Sequence, residues 1–173
     1  MMTLEQAIQT ALDYENKVCA VYEEATARAI DPTAKRMLEV LVAEERRHVE
    51  YLESRLAEWK KTGTVTVAGL ATDVPSAERI QKGVKTLKDR IRLPETQRRE
   101  AIETLKRALQ VESETSKFYA QVVGEMPGGE QRQLFQRFLE IETGHEAIVQ
   151  AELDSVQGNG FWFDTREFGL EGA

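Results

Sequence analysis

Glu44-Glu45-Arg46-Arg47-His48 and, ninety-seven positions on from Glu45, Glu142-Thr143-Gly144-His145 decide how this chain is read. They hold both histidines of the 173 residues, and each His stands three after a Glu. Around the first, the apolar residues run Leu38, Leu41, then Glu45, His48, then Leu52, Leu56 and Trp59. Around the second they run Phe135, Phe138, then Glu142, His145, then Val149, Leu153 and Val156. Steps of three and four mark the core-facing stripe of a helix. In both stripes Glu-x-x-His occupies positions where an apolar residue is expected.

The same shift extends outward. Ala11-Leu12 falls on Ala108-Leu109, Glu15 on Glu112, Tyr22 on Tyr119, Leu41 on Phe138, Leu56 on Leu153 and Gly63 on Gly160, with no gap over some fifty residues. The repeated unit is a helical hairpin. Thr3 and Gln6 form a capping box for a first helix reaching about Ile30. Asp31-Pro32 restarts the chain into a second helix ending near Lys61, before Gly63. A third begins at Leu93-Pro94 and stops at Met126-Pro127-Gly128-Gly129; a fourth spans Glu130 to Val156. Residues 62–93 form a long crossover, with Thr64-Val65-Thr66-Val67 extended and a short helix over Ser76–Lys88. The expected fold is all-α: a four-helix bundle over residues 1–157, made of hairpins 3–61 and 94–157. An aromatic tail, 158–173, with Phe161, Trp162, Phe163 and Phe168, packs on the bundle or on a second subunit.

Helix register brings the ionisable positions to one height. Glu15 and Glu45 each lie fifteen residues from position 30, and Glu112 and Glu142 each fifteen from position 127. At 1.5 Å per residue both pairs sit about 22 Å from their turns, halfway along helices of about 45 Å. Four carboxylates and two imidazoles then meet in a buried layer. Without counter-charge this costs several kcal/mol of desolvation per ion. Two divalent cations would neutralise it, and Glu with His suits iron, manganese or zinc. One Glu from each of two helices plus Glu-x-x-His from each of the others is a di-metal carboxylate set. Glu45 and Glu142 are the expected bridges, Glu15 and Glu112 the terminal carboxylates, His48 and His145 the terminal nitrogens. Tyr22 and Tyr119 read as core residues, with a hydrogen bond to a ligand carboxylate as the sharper alternative. Cys19, aligned with Ser116, reads as a small core residue, and Arg46-Arg47 and Arg98-Arg99 as solvated faces.

Composition excludes other classes. Hydrophobic residues make up 41% and charged ones 31%, with only four Pro, which suits a soluble helical domain. The net charge of −7 argues against nucleic acid as a partner. One cysteine permits neither an internal disulfide nor a CxxC pair. No apolar run approaches the ~20 residues of a membrane span. Met1-Met2-Thr3-Leu4-Glu5-Gln6 has neither the basic nor the apolar part of a signal peptide, so a reducing cytoplasm is expected.

Ala11-Leu12-Asp13-Tyr14-Glu15 through Tyr22, Glu44 through His48, Val111-Glu112 through Phe118-Tyr119, and Glu142 through His145 together resemble the rubrerythrin-type branch of the ferritin-like superfamily, over residues 3 to 157. The resemblance implies a left-handed-type crossover between the hairpins, a di-iron site reacting with hydrogen peroxide or O₂, and a homodimer. Two departures stand out. Rubrerythrin proper adds a four-cysteine rubredoxin domain, so electrons here would come from a separate donor protein. Rubrerythrin also places a second ligand Glu one turn after the first on its third helix, where this chain has Thr115. The symmetric six-residue set is closer to bacterioferritin. Three functions follow as expectations: a peroxidase-type redox enzyme, a ferroxidase or iron-handling protein, and a non-catalytic metal-binding protein.

Overall fold

The computed structural model describes residues 2–84 and 94–158. Among these there are five helices and no strand: α1 (Leu4–Arg28), α2 (Pro32–Thr62), α3 (Ala77–Val84), α4 (Glu95–Glu125) and α5 (Gly129–Gln157). The expected bounds hold to within about two residues, because the caps are local chemistry. The Thr3 hydroxyl accepts from the Gln6 N–H while the Gln6 side chain accepts from the Thr3 N–H. The Asp31 carboxylate accepts from the Ala34 N–H, with Pro32 as first helical residue. Gly158 ends α5 in the left-handed conformation (φ +83°), which a side chain would strain. Residues 64–67 form no helix or strand, and Val65 alone of that stretch is fully buried, where it joins the core. The predicted 76–88 helix is described only as far as Val84, and the aromatic tail lies outside the described residues beyond Gly158.

α1 packs along α2 and α4 along α5; α1 also lies on α4, and α3 on α5. The Met2 N–H donates to the Glu125 carboxylate at 3.1 Å, so α1 starts where α4 ends. The Asp31 and Pro127 turns therefore lie at opposite ends. α2 ends beside the Pro127 turn and α4 begins beside the Asp31 turn. Of the segment between them residues 63–84 are described, and α3 within it lies on α5. At Gly144 the crossover comes so close to α5 that a Cβ would sit 3.1 Å from the Pro75 carbonyl oxygen.

The core divides into two clusters on either side of the ionisable layer. Towards the Asp31 turn it is mostly aliphatic and rich in small residues, with Val18, Ala25, Leu41, Ala108 and Val149 beside the ring of Tyr22. Towards the Pro127 turn it is aromatic, with Phe118, Tyr119, Phe135 and Phe138 packed around Leu52. Tyr119 stacks on Phe138 with ring centroids 5.0 Å apart. Each fully buried side chain of this size contributes about 1.5–3 kcal/mol. These two clusters hold the helices in register, and with them the polar layer between.

Two readings of single residues need correction. Cys19 is only half-buried, on the flank of the aliphatic cluster, because its position in α1 lies off the centre of the buried face. Arg47 does not belong to a purely solvated face. It donates to the buried Glu44 carboxylate and to Asp73 at 2.6 Å. Arg46 and Arg98 stay on solvated faces, paired with Glu23 and Glu95 respectively.

Candidate metal centre

Glu15, Glu45, His48, Glu112, Glu142 and His145 are each fully buried. Their side-chain atoms meet between the helices in two overlapping groups. Glu15, Glu45, His48 and Glu142 form one; Glu45, Glu112, Glu142 and His145 form the other. Within each, four donor atoms lie within 4.8 Å of one another, and Glu45 and Glu142 belong to both. The centre inherits the approximate two-fold symmetry of the repeat. α1 and α4 each bring one Glu; α2 and α5 each bring one Glu-x-x-His.

Both imidazoles turn Nδ1 towards the carboxylates. His48 Nδ1 lies 3.0 Å from Glu15 and 3.4 Å from Glu142. His145 Nδ1 lies 2.8 Å from Glu45 and 3.8 Å from Glu142. The rings stack, with centroids 5.4 Å apart. Tyr22 of α1 donates to Glu112 of α4, and Tyr119 of α4 donates to Glu15 of α1. The tyrosines thus hold the carboxylate of the other repeat, not the one two turns away on their own helix. This is the sharper of the two roles expected of them. Thr115 donates to the Val111 carbonyl oxygen of its own helix, and Glu114 pairs with Lys17 on the surface.

The electrostatics are those of a site that wants cations. Burial pushes Glu15 up to about 7 and Glu112 up to about 8, helped by the neighbouring Glu45 carboxylate. Glu142, buried and facing three other carboxylates, is raised well above the usual range. Burial opposes charge on His48 too, but the Glu15 and Glu45 carboxylates outweigh it and raise the imidazole to about 9. His145 is raised for the same reason, by Glu44 and Glu45. Glu45 collects the compensation: burial would raise it, yet the two imidazoles hold it well below an ordinary carboxylate. Both oxygens of Glu142 lack a hydrogen-bond partner, and the 2.8 Å approach of His145 Nδ1 to Glu45 is not aligned as a hydrogen bond. Unpaired polar atoms in one buried layer are compatible with a bound ion. Buried Glu and His groups in this arrangement can hold metal ions.

Glu44, fully buried, faces the outer nitrogens of both imidazoles: its Oε2 lies 3.9 Å from His48 Nε2 and from His145 Nε2, close enough for electrostatic contact and too far for a hydrogen bond. Arg47 and the Asp73 N–H (3.0 Å) fix this carboxylate from the crossover side. Burial would raise its pKa, but the facing His145 and the Asp73 N–H hold it below the usual range. The repeat held the clue, since Glu44 aligns with the apolar Ile141. An imidazole bound through Nδ1 carries its proton on Nε2, where a carboxylate fixes tautomer and ring orientation. Glu44→Gln should therefore lower metal affinity about 10- to 100-fold while helix content stays unchanged. Competition against a chelator of known affinity measures this; wild-type affinity in the variant would leave Glu44 no part in orienting the rings.

No family model, no curated protein and no solved structure matches this chain.

Proposed function

We propose that this chain is a ferritin-like di-iron carboxylate protein of the rubrerythrin type that reduces hydrogen peroxide or O₂. One observation carries the reading: two four-residue donor groups that share Glu45 and Glu142. A shared pair of carboxylates is what two cations a few ångströms apart require. In this reading Glu15 with His48 would hold one iron and Glu112 with His145 the other, with Glu45 and Glu142 shared between the two groups. The α1–α2 and α4–α5 pairs are the two hairpins of the ferritin-like bundle, and residues 62–93 its crossover.

Bound as a ferrous pair, the irons supply two electrons, enough to take hydrogen peroxide and two protons to two waters. The chain's own residues do the rest. The tyrosines hold the terminal carboxylates in place, the packed layers exclude bulk water, and Glu44 orients both rings. Re-reduction falls to an external donor protein, since Cys19 stands alone. One observation favours ferroxidase chemistry as the second reading. Thr115 spends its hydroxyl on the Val111 carbonyl, so α4 offers one carboxylate to the layer rather than two.

Stopped-flow oxidation of anaerobic, Fe(II)-loaded protein separates these readings. We expect hydrogen peroxide to oxidise the pair faster than O₂. If O₂ is faster and ferric iron accumulates well beyond two per chain, the ferroxidase reading replaces the peroxidase one. If neither oxidant reacts, the protein binds metal without redox chemistry.

A further inference from the structure

Resting on the reading above, we propose that the cavity between the Asp31 turn and the donor layer is the path by which a small neutral molecule reaches the centre, and that Glu152 makes this path favour hydrogen peroxide over O₂. A path is needed because all six donor side chains are fully buried. The two halves of the core differ in what they allow. Towards the Pro127 turn, Phe118, Tyr119, Phe135 and Phe138 close the bundle with large rings in contact. Towards the Asp31 turn, Ala25, Ala29, Ala34 and Ala101 leave a cavity of about 70 Å³. At about 10–15 Å³ of such space per water, that admits several waters or a peroxide molecule.

The cavity has an outer and an inner end. Outside, it shares Ala25, Arg28, Glu100 and Thr104 with a charged groove between α1 and α4. Inside, it is lined by Leu41 and Val149. Leu41 stands four residues before Glu45 and Val149 four after His145, one helical turn or about 6 Å from the donor layer in each case.

Glu152 lines the same cavity, seven residues on from His145 along α5. It is 4% exposed, and neither of its carboxyl oxygens has a hydrogen-bond partner. In an otherwise apolar core such a group is costly, and packing alone gives no reason for it. Burial, with the nearby Asp31 carboxylate, raises its pKa well above the usual range and so favours the neutral acid. A neutral carboxyl both donates and accepts, which matches the O–H groups and lone pairs of hydrogen peroxide. O₂ gains nothing from it.

Three variants test this in the full-length protein. Ala25→Leu fills the cavity. Glu152→Leu keeps its bulk and removes hydrogen bonding; Glu152→Gln keeps both. In metal-free protein, dissolved O₂ should enhance relaxation of the Leu41 and Val149 methyl protons in wild type and in both Glu152 variants, and several-fold less in Ala25→Leu. In Fe(II)-loaded protein, with two irons per chain verified in each case, peroxide oxidation should slow at least ten-fold in Ala25→Leu and in Glu152→Leu. Glu152→Gln should stay within two- to three-fold of wild type. Oxidation by O₂ should slow in Ala25→Leu only. Equal O₂ relaxation of the Leu41 and Val149 methyls in Ala25→Leu and wild type overturns the path. Equal slowing of both oxidants in Glu152→Leu overturns the selectivity. Should wild type ignore peroxide altogether, the peroxidase reading and the selectivity both fail, while methyl relaxation still decides whether the path exists.

Discussion

Replacing Glu142 by alanine should empty the centre and, at the same time, stabilise the metal-free protein. The two effects have one cause. Glu142 is a member of both donor groups, so its loss removes a bridging donor from each cation together. Metal content measured by mass spectrometry after desalting should fall from two ions per chain to none, and Glu45→Ala should behave alike. Glu15→Ala removes a donor from one group only and should retain about one ion. Glu114→Ala, which disturbs only a surface pair with Lys17, should retain both. Without metal, Glu142 is a liability. It faces Glu15, Glu45 and Glu112 in full burial, and neither of its oxygens has a hydrogen-bond partner. Removing an unsatisfied buried polar group returns about 1–3 kcal/mol. The space left behind is lined by polar atoms, so water can fill it. At about 2–4 °C per kcal/mol for a domain of this size, the metal-free variant should melt several degrees above metal-free wild type. With metal present the order should reverse, because ligand bound only to the folded state adds about 4 kcal/mol at a thousand times its dissociation constant. A metal-free variant that melts below wild type would mean that the layer is a satisfied polar core rather than a binding site.

The donor layer was legible in the sequence for a definite physical reason. A helix maps spacing onto faces, so a Glu and a His three apart, both on an apolar stripe, had to point inward together. The duplication then set the heights of all four helices without any tertiary information. Helix ends were legible because Thr3, Asp31-Pro32 and Gly158 act through their own side chains and backbone. Glu44 was harder. It sits beside the stripe, and its burial depends on Arg47 and on the crossover segment at Asp73, whose path helical periodicity does not set. The mismatch with Ile141 was the one local signal. Arg47 aligns with Gly144 in the same way. The repeat breaks its symmetry at these two positions, where the crossover carries Asp73 to α2 and the Pro75 carbonyl to α5. Glu152 was obscured by Leu153, which fits the stripe equally well. That the tyrosines bond across the repeat was likewise beyond spacing, because it depends on which helices are neighbours.

Metal-free protein should lose stability as pH rises from 5 to 9, and metal should reverse that trend. The carboxyls and the imidazoles push in the same direction. Glu15, Glu112 and Glu142 are raised above their ordinary value of 4.5, so in the folded chain they keep protons that the unfolded chain has already released. They cost nothing at low pH. The penalty for ionising them in burial grows as pH climbs from 4.5 towards their folded values. His48 and His145 are raised above 6.5, so the stabilisation they draw from the carboxylates is complete below that pH and fades as pH passes through about 9. Each proton held in excess by the folded state removes about 1.4 kcal/mol of stability per pH unit. Glu44 and Glu45, held below the ordinary value, act oppositely and only below about pH 4.5. Metal-free stability should therefore peak near pH 5. Divalent cations need the carboxylates ionised and the imidazoles neutral. Near neutral pH they would displace protons from the two imidazoles and from the raised carboxyls Glu15, Glu112 and Glu142. Affinity must then rise with pH, and the metal-loaded protein gains stability where the metal-free one loses it. Denaturant midpoints at pH 5, 6, 7 and 8, with and without metal, should diverge steadily. Calorimetry in two buffers of different ionisation enthalpy should count the protons. Fewer than one released per chain would mean that the cations sit elsewhere than in this layer.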